Sequence, residues 1–183
     1  MFQDFPRAHK SIFNCNENEK FSFVNLLMFP ESLNHDSWKS ITHPKRDTKV
    51  EVYFTHTDYL VGGYIIEILH GYQIIYLKEL VLNPKLKSKK YTREMIYDIS
   101  NYGLDIFGEN FKGIVATSQC SDNKKSLDNK NKLKIQALIN AGGKIVVECA
   151  RIKNQILHFI YIPYNGGLEQ NEVKEIFKKV SCV

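Results

Sequence analysis

Between Val50 and Leu82 the hydrophobic period of the chain falls to two and holds through three consecutive runs, which narrows the folds open to it more than any other feature. Val50, Val52 and Phe54 alternate with Glu51, Tyr53 and Thr55, the pattern of a half-buried strand. Asp58 marks a turn. Leu60 to Leu69 reads as a second strand with Gly62 and Gly63 near its start, His70 and Gly71 turn the chain, and Gln73 to Leu82 reads as a third. Connections this short join antiparallel neighbours, because a parallel pair needs a crossover of about a dozen residues or more. Pro84 closes the meander.

Helical periods flank this core. Downstream, Met95, Ile96, Ile99, Tyr102, Leu104 and Ile106 predict a helix from about Thr92 to Phe107, with Arg93, Glu94, Asp98 and Asn101 on its polar face. A short strand over Gly113 to Ser118 follows, and the β-α-β crossover favours parallel pairing with the strand before the helix. Ser121 to Lys130 is polar, a loop or the frayed start of a helix. A helix near Asn131 to Asn140 buries Leu133, Ile135, Ala137 and Leu138 in some combination, and Gly142 stops it. Lys144 to Ala150 and Gln155 to Ile162 predict two more strands, and Glu169 to Val180 a terminal helix. Upstream, Phe21, Val24, Leu27 and Met28 recur at helical spacing until Pro30. A second short helix from Ser32 carries Leu33, Trp38 and Ile41 and ends before Pro44; His9 to Phe13 offers an early strand. With no repeat and no linker, the chain reads as one mixed α/β domain over 1–183. Its helical N-terminal region covers about 19–44, and a central mixed sheet of about six or seven strands is flanked by helices.

Composition bounds the partners. The 183 residues include 11 Phe and 10 Tyr, too aromatic for a disordered chain. A formal charge of +5 favours anionic partners: phosphorylated cofactors, acidic proteins or RNA. Cys15, Cys120, Cys149 and Cys182 form no CxxC pair, and His9, His35, His43, His56, His70 and His158 form no HxxxH or HExxH pattern, so no metal is expected. The N-terminus has no apolar signal region and no stretch approaches the roughly 20 apolar residues of a membrane span. The expectation is a cytoplasmic protein with reduced thiols and no membrane partner.

Three local features then fall in register. Tyr76-Leu77-Lys78-Glu79-Leu80-Val81-Leu82-Asn83-Pro84 is a strand ending in an apolar pair, a polar residue and proline. A loop, Lys87-Ser88-Lys89-Lys90-Tyr91-Thr92, leads directly into a helix. Asn131 and Gly142 stand at the two ends of an N-x-x-A-x-x-L-Y-x-x-x-G spacing, with Leu138 in place of its Tyr. Together they resemble the acyl-CoA-binding core, here residues 74 to 142, of the GCN5-related N-acetyltransferase (GNAT) superfamily, of which the chain looks like a divergent member. The resemblance implies acetyl-CoA or another acyl-CoA as co-substrate, an amine-bearing acceptor, and direct transfer assisted by a carboxylate base.

Residue by residue, that family uses a Q/R-x-x-G-x-G/A loop so that backbone N–H groups approach a pyrophosphate closely. Here Lys87 stands at the Arg or Gln, Lys90 and Thr92 replace the two glycines, and Ser88 replaces a further one. Lys87, Lys89 and Lys90 can supply charge in place of backbone contacts, with Thr92 capping the helix, or the segment is simply a solvated basic loop. Tyr91 belongs to the same stretch. The resemblance places Leu80, Val81 and Leu82, with Asn83, in main-chain contact with the co-substrate, and Asn131 at a cofactor-contacting asparagine that could equally be a helix N-cap. Glu79 is the first candidate base and Glu67, on the preceding strand, the second; either could instead be a solvent-facing strand residue. The tyrosine that often protonates the leaving thiolate falls at Leu138, which has no proton to give.

Other readings stay open. An acetyltransferase-like fold used only for binding would explain the missing glycines and tyrosine. Tyr53, Tyr59, Tyr64, Tyr72 and Tyr76, interleaved with lysines, suit single-stranded RNA as a minor reading, and acyl-homoserine-lactone synthesis is another use of such a fold. Cys120 is a conceivable nucleophile, Ser118 lacks a G-x-S-x-G elbow, and Trp38 is expected to pack the first helices on the sheet. The strand at Gln155 to Ile162 and the terminal helix are free to complete a homodimer or the monomer.

Overall fold

In a computed structural model, which describes residues 8–27, 35–55, 57–86, 89–120, 134–152 and 155–181, the meander is the left half of a seven-stranded sheet. The elements in chain order are β1 (Ala8–Ser11), α1 (Glu17–Leu27), α2 (His35–Thr42), β2 (Thr48–Phe54), β3 (Leu60–Leu69), β4 (Ile74–Leu82), α3 (Lys89–Phe107) and β5 (Gly113–Cys120). They continue with α4 (134–140), β6 (Lys144–Ile152), β7 (Gln155–Pro163) and α5 (Gln170–Ser181). The strand order is β1-β2-β3-β4-β5-β7-β6. Every neighbouring pair is antiparallel except β4–β5, which the α3 crossover makes parallel.

Alternation along the strands sorts side chains between two helical layers. Tyr64 and Ile66 of β3, Ile75 and Leu77 of β4, and Ile114 and Ala116 of β5 pack under α3 and α4 against Met95, Ile96, Ile99 and Leu138. The opposite face is covered in two parts. Phe23, Val24 and Ile41 of α1 and α2 lie on Val50, Val52 and Phe54, with Trp38 at the margin as expected. Val173, Ile176 and Val180 of α5 lie on Ile74, Val115 and Phe159. Each large apolar side chain removed from water in this way contributes about 1.5–3 kcal/mol.

Several boundaries differ from the sequence reading, among them those of β1, α1 and α3. α1 begins at Glu17 because Asn16 Oδ1 accepts from Glu19 N–H (2.9 Å) while Glu19 Oε2 accepts from Asn16 N–H (2.9 Å), a reciprocal cap that satisfies two helix-end donors. The early strand is Ala8–Ser11 and gives way to a turn over Ile12–Asn14. α3 starts at Lys89 rather than near Thr92; with glycine absent there, Lys, Lys and Tyr are ordinary helix residues and join its first turn. Met28, Ser32 and Leu33 lie outside the described residues. Among the described residues no helix is long and apolar enough to cross a membrane.

Candidate active site

β4 and β5 pair over only four positions, from Ile74↔Gly113 to Leu77↔Ala116. Both strands continue, to Leu82 and Cys120, but apart, each held by its outer neighbour. Leu80, Val81 and Leu82 pair with Tyr64, Gly63 and Gly62 of β3, while Thr117 and Ser118 pair with Phe159 and His158 of β7. The divergence begins at a β-bulge: Ile66 faces Leu77 and Ile65 faces Glu79, leaving Lys78 as the extra residue of β4. A bulge bends its strand and sharpens the twist, so β4 turns away from β5 and the sheet opens into a fork.

The backbone lining one arm of this fork follows from strand alternation. Asn83 N–H donates to Val61 O at 2.8 Å, so in an antiparallel ladder Val81 and Glu79 also face β3, and Leu80 and Leu82 turn their N–H and C=O groups into the fork. Of the expected main-chain contributors, Leu80 and Leu82 are therefore the ones directed there, and Val81 and Asn83 are engaged with β3. Asn83 also donates from Nδ2 to Leu60 O (3.0 Å) and accepts from Lys85 N–H (3.1 Å), which fixes the chain as it leaves β4.

A lysine occupies the apex. Lys134, on α4, is 5% exposed, and its ammonium donates to Lys78 O (2.7 Å) and to Thr117 O (2.9 Å), one carbonyl from each arm. Burying an ammonium costs several kcal/mol, and two bonds from a charged donor return about 1.5–3 kcal/mol each. Burial accordingly pushes the Lys134 amine below its ordinary value, with the charge of Glu79 opposing that shift. Lys134 escaped the sequence reading, which assigned the buried face of this helix to apolar residues alone. The signal was present: Lys134, Ala137, Leu138 and Ala141 stand at i, i+3, i+4 and i+7, one helical face, and Lys134 occupies the alanine position of the segment beginning at Asn131.

The side chains on the α5 side of the same fork are acidic and phenolic. Tyr76 Oη and Thr117 Oγ1 are 2.8 Å apart, a clasp from β4 to β5. Burial raises the Tyr76 phenol above its ordinary value; Thr117 acts against that shift, and the charges of Glu79 and Glu67 add to it. Glu67 is held by Lys78, Oε2 to Nζ 3.0 Å. Glu79 is exposed and has no hydrogen bond or ion pair among the described residues. The two candidate carboxylates thus differ: one is paired, the other open to solvent beside the fork.

At the far end of β4 the chain turns through Leu86 N–H to Asn83 O (2.8 Å) and enters α3. Lys89, Lys90, Tyr91 and Thr92 form the first turn, the positive end of the helix dipole. Lys90 is exposed, Tyr91 packs on the core and Thr92 is buried. Lys87, Ser88 and Asn131 lie outside the described residues. Leu138 is 1% exposed and belongs to the core under the sheet. A groove of about 890 Å³ runs between α1 and the β2–β3 turn to Asn83 and Lys85; Glu19, Asn25, Asp58 and Tyr59 are among its walls.

The tyrosines of the meander do not form a stacking surface. Tyr53 and Tyr64 are buried, Tyr72 and Tyr76 pack against the α5 cluster, and Tyr59 is exposed at a turn. Burial of a phenol inside a two-layered sheet is ordinary strand packing. Among the described residues no three His, Cys, Asp or Glu side chains converge as metal ligands.

No family model and no curated protein sequence matches the chain. Solved structures do. Spermidine N-acetyltransferase from Vibrio cholerae, in complex with CoA and spermine, superposes with a TM-score of 0.64 at 12% identity, over 86% of this chain and 95% of that one. An aminoglycoside 6'-N-acetyltransferase complexed with coenzyme A gives 0.64 at 14% identity, over 85% and 96%. Nourseothricin acetyltransferase gives 0.52 at 10% identity, over 64% of this chain and 66% of that one, just under two thirds of its length. The fold of the chain is the fold of these acetyltransferases.

Proposed function

We propose that the chain is an acyl-CoA-dependent N-acyltransferase that moves an acetyl group from acetyl-CoA to an amine. The observation that carries this reading is the fork: a bulge at Lys78, two strands diverging beyond Leu77↔Ala116, and the first turn of α3 at the end of the same strand. Bound acetyl-CoA supplies an activated acyl group as a thioester. The residues present suit such a co-substrate. Leu80 and Leu82 offer unpaired main-chain groups to an extended amide arm, as an edge strand does. The N–H groups of Lys89 to Thr92, with Lys90 and the lysines at 87 and 89, offer positive charge to a pyrophosphate. Glu79 removes a proton from the incoming amine, since Glu67 is already held by Lys78. CoA in two of these neighbours supports the choice of co-substrate.

Titration with CoA and acetyl-CoA, followed by thermal unfolding, tests the reading. Ligand at a hundred times its Kd stabilises by about 2.7 kcal/mol, which for a chain of this size raises Tm by roughly 5–10 °C. A flat titration sinks it. A second reading has one observation in its favour. The Lys134 ammonium bridges both arms of the fork, so a protein that keeps this fold only to bind a partner would have its co-substrate channel closed there, and CoA would leave its melting unchanged. Given a positive shift, spermidine and an aminoglycoside are the first acceptors to assay.

A further inference from the structure

We propose that Lys134 protonates the departing thiolate and offsets its charge, the task for which the usual tyrosine position offers only Leu138. The inference rests on the acyl-transfer reading and deepens it. Three observations carry it. First, Lys134 lies one turn before Leu138 on the same face of α4, and its Nζ reaches the fork apex, bonded to Lys78 O and Thr117 O immediately past the last β4–β5 pair. Second, an ammonium has three donors; two are used, and the third has no acceptor among the described residues. Third, the other proton carriers nearby are worse placed. Leu138 has none, the Tyr76 hydroxyl is clasped to Thr117 on the α5 side, and His158 is set by register opposite Ser118, one residue farther from the apex than Thr117.

A purely structural explanation fits poorly. Closing the fork needs no charge, because a continued β4–β5 ladder would bring N–H donors to its carbonyls; the bulge at Lys78 interrupts that ladder and leaves Lys78 O and Thr117 O to a buried cation. Such a cation is rarely retained without a use, since it is among the costliest groups to bury. The charged group acting on it is Glu79 from β4, with Lys78 turned to Glu67. Burial moves the Lys134 amine down toward the range of a thiol, which brings proton transfer between them closer to balance.

The step balances as follows. The acceptor nitrogen forms a bond to the acyl carbon, the carbon–sulfur bond breaks, and its electron pair goes to sulfur, which takes a proton from Lys134 Nζ. The acceptor enters as an ammonium and leaves as an amide, so two protons pass from its nitrogen, by way of Glu79, to water. One proton returns from water to Lys134. One is released in total.

The test uses CoA itself and needs no acceptor. The thiol of CoA bound to the wild-type chain is titrated by the ultraviolet absorbance of its thiolate. Lys134 should lower that thiol about one pH unit below the usual ~8.5, a tenfold rise in thiolate at a given pH. Lys134→Met should return it to the usual value or above while CoA still binds, and Lys134→Arg should keep it low. Where Lys134→Met does not fold, Lys134→Gln takes its place, keeping a donor without the charge. Identical titrations in wild type and the uncharged variant overturn the proposal. So does acetyl-Lys134 found by mass spectrometry after incubation with acetyl-CoA, because a neutral nucleophile is not a proton donor. Failure of the wild type to bind CoA is a separate result, which removes the acyl-transfer reading and this proposal with it.

Discussion

Replacing Gly63 by alanine tests whether the outer arm of the fork depends on the close approach of three strands and one helix. Gly63 sits in the middle of β3, opposite Val52 on one side and Val81 on the other. A Cβ built there lies 2.3 Å from Glu51 O and 2.6 Å from Phe23 Cε2. Ordinary contact is about 3.5–4.0 Å, so the methyl is short of room by more than about 1 Å against backbone, which no rotamer change relieves. Two responses are open. If β2 and β3 separate by about 1 Å, ladder bonds near 2.9 Å stretch past the limit of a hydrogen bond, and two lost bonds cost roughly 1–3 kcal/mol. If the Phe23 ring moves instead, a side chain with no exposed area must be repacked, at about 1–3 kcal/mol. Either way the loss is about 1–3 kcal/mol, and for a domain of this size Tm falls by roughly 2–12 °C. Circular dichroism melts of Gly63→Ala, run beside Gly71→Ala, measure it. A Cβ at Gly71 meets nothing within 4 Å, so that variant should melt within about a degree or two of the parent. Equal melting of the two variants would refute the packing argument.

Glu79→Gln should lower turnover at least about a hundredfold, the scale of a lost general base, while CoA affinity by calorimetry stays within a few-fold; a variant with full turnover removes Glu79 from the reaction. Lys90→Glu places an anion in the first turn of α3, against both the dipole and a phosphate, and should weaken CoA binding about tenfold at low salt and less at high salt. Unchanged affinity would mean that the lysines do not stand in for the missing glycines. Burial raises the Cys15 thiol from 9.0 to about 11, so at pH 8 its thiolate is about a hundred times scarcer than in the unfolded chain. Iodoacetamide mapping should find Cys15 protected in the native protein and labelled in urea. The sign for stability follows: a raised thiol contributes its full stabilisation below about pH 9 and loses it as pH climbs toward 11, so alkaline melts should decline across that window less steeply in Cys15→Ala.

The fold was legible because its signals are local. Strand β3 runs over Leu60–Leu69 and β4 over Ile74–Leu82, where the two-residue period placed them to within one position, and short turns left antiparallel pairing as the sole option. The parallel β4–β5 pair followed from a helix of sufficient length between them. Where boundaries moved, a side-chain detail moved them. The cap at Asn16 and Glu19 is written in the sequence as N-E-N-E, the capping-box spacing, and reading it would have started α1 correctly. At α3 the resemblance placed a loop as far as Thr92, whereas the residues present from Lys89 onward prefer helix.

The site was less legible because its defining feature is a relation between strands. Nothing in Tyr76 to Pro84 read alone shows that Lys78 is the extra residue; the bulge exists only in the register of β4 against β3, and from that one residue come the divergence from β5, the outward turn of Leu80 and Leu82, and the two carbonyls at the apex. The lysine that meets them is a different case. A helical face read strictly by position would have carried Lys134 inward beside Ala137 and Leu138, and a buried lysine then demands acceptors. An apolar-only definition of the face hides such a residue, because the groups that make burial tolerable belong to strands more than fifteen residues away in the chain. Pattern therefore finds the frame of this protein, and the conflict between pattern and charge points to the fork: the residue that breaks the amphipathic rule at 134 is the one whose ammonium joins Lys78 O to Thr117 O across it.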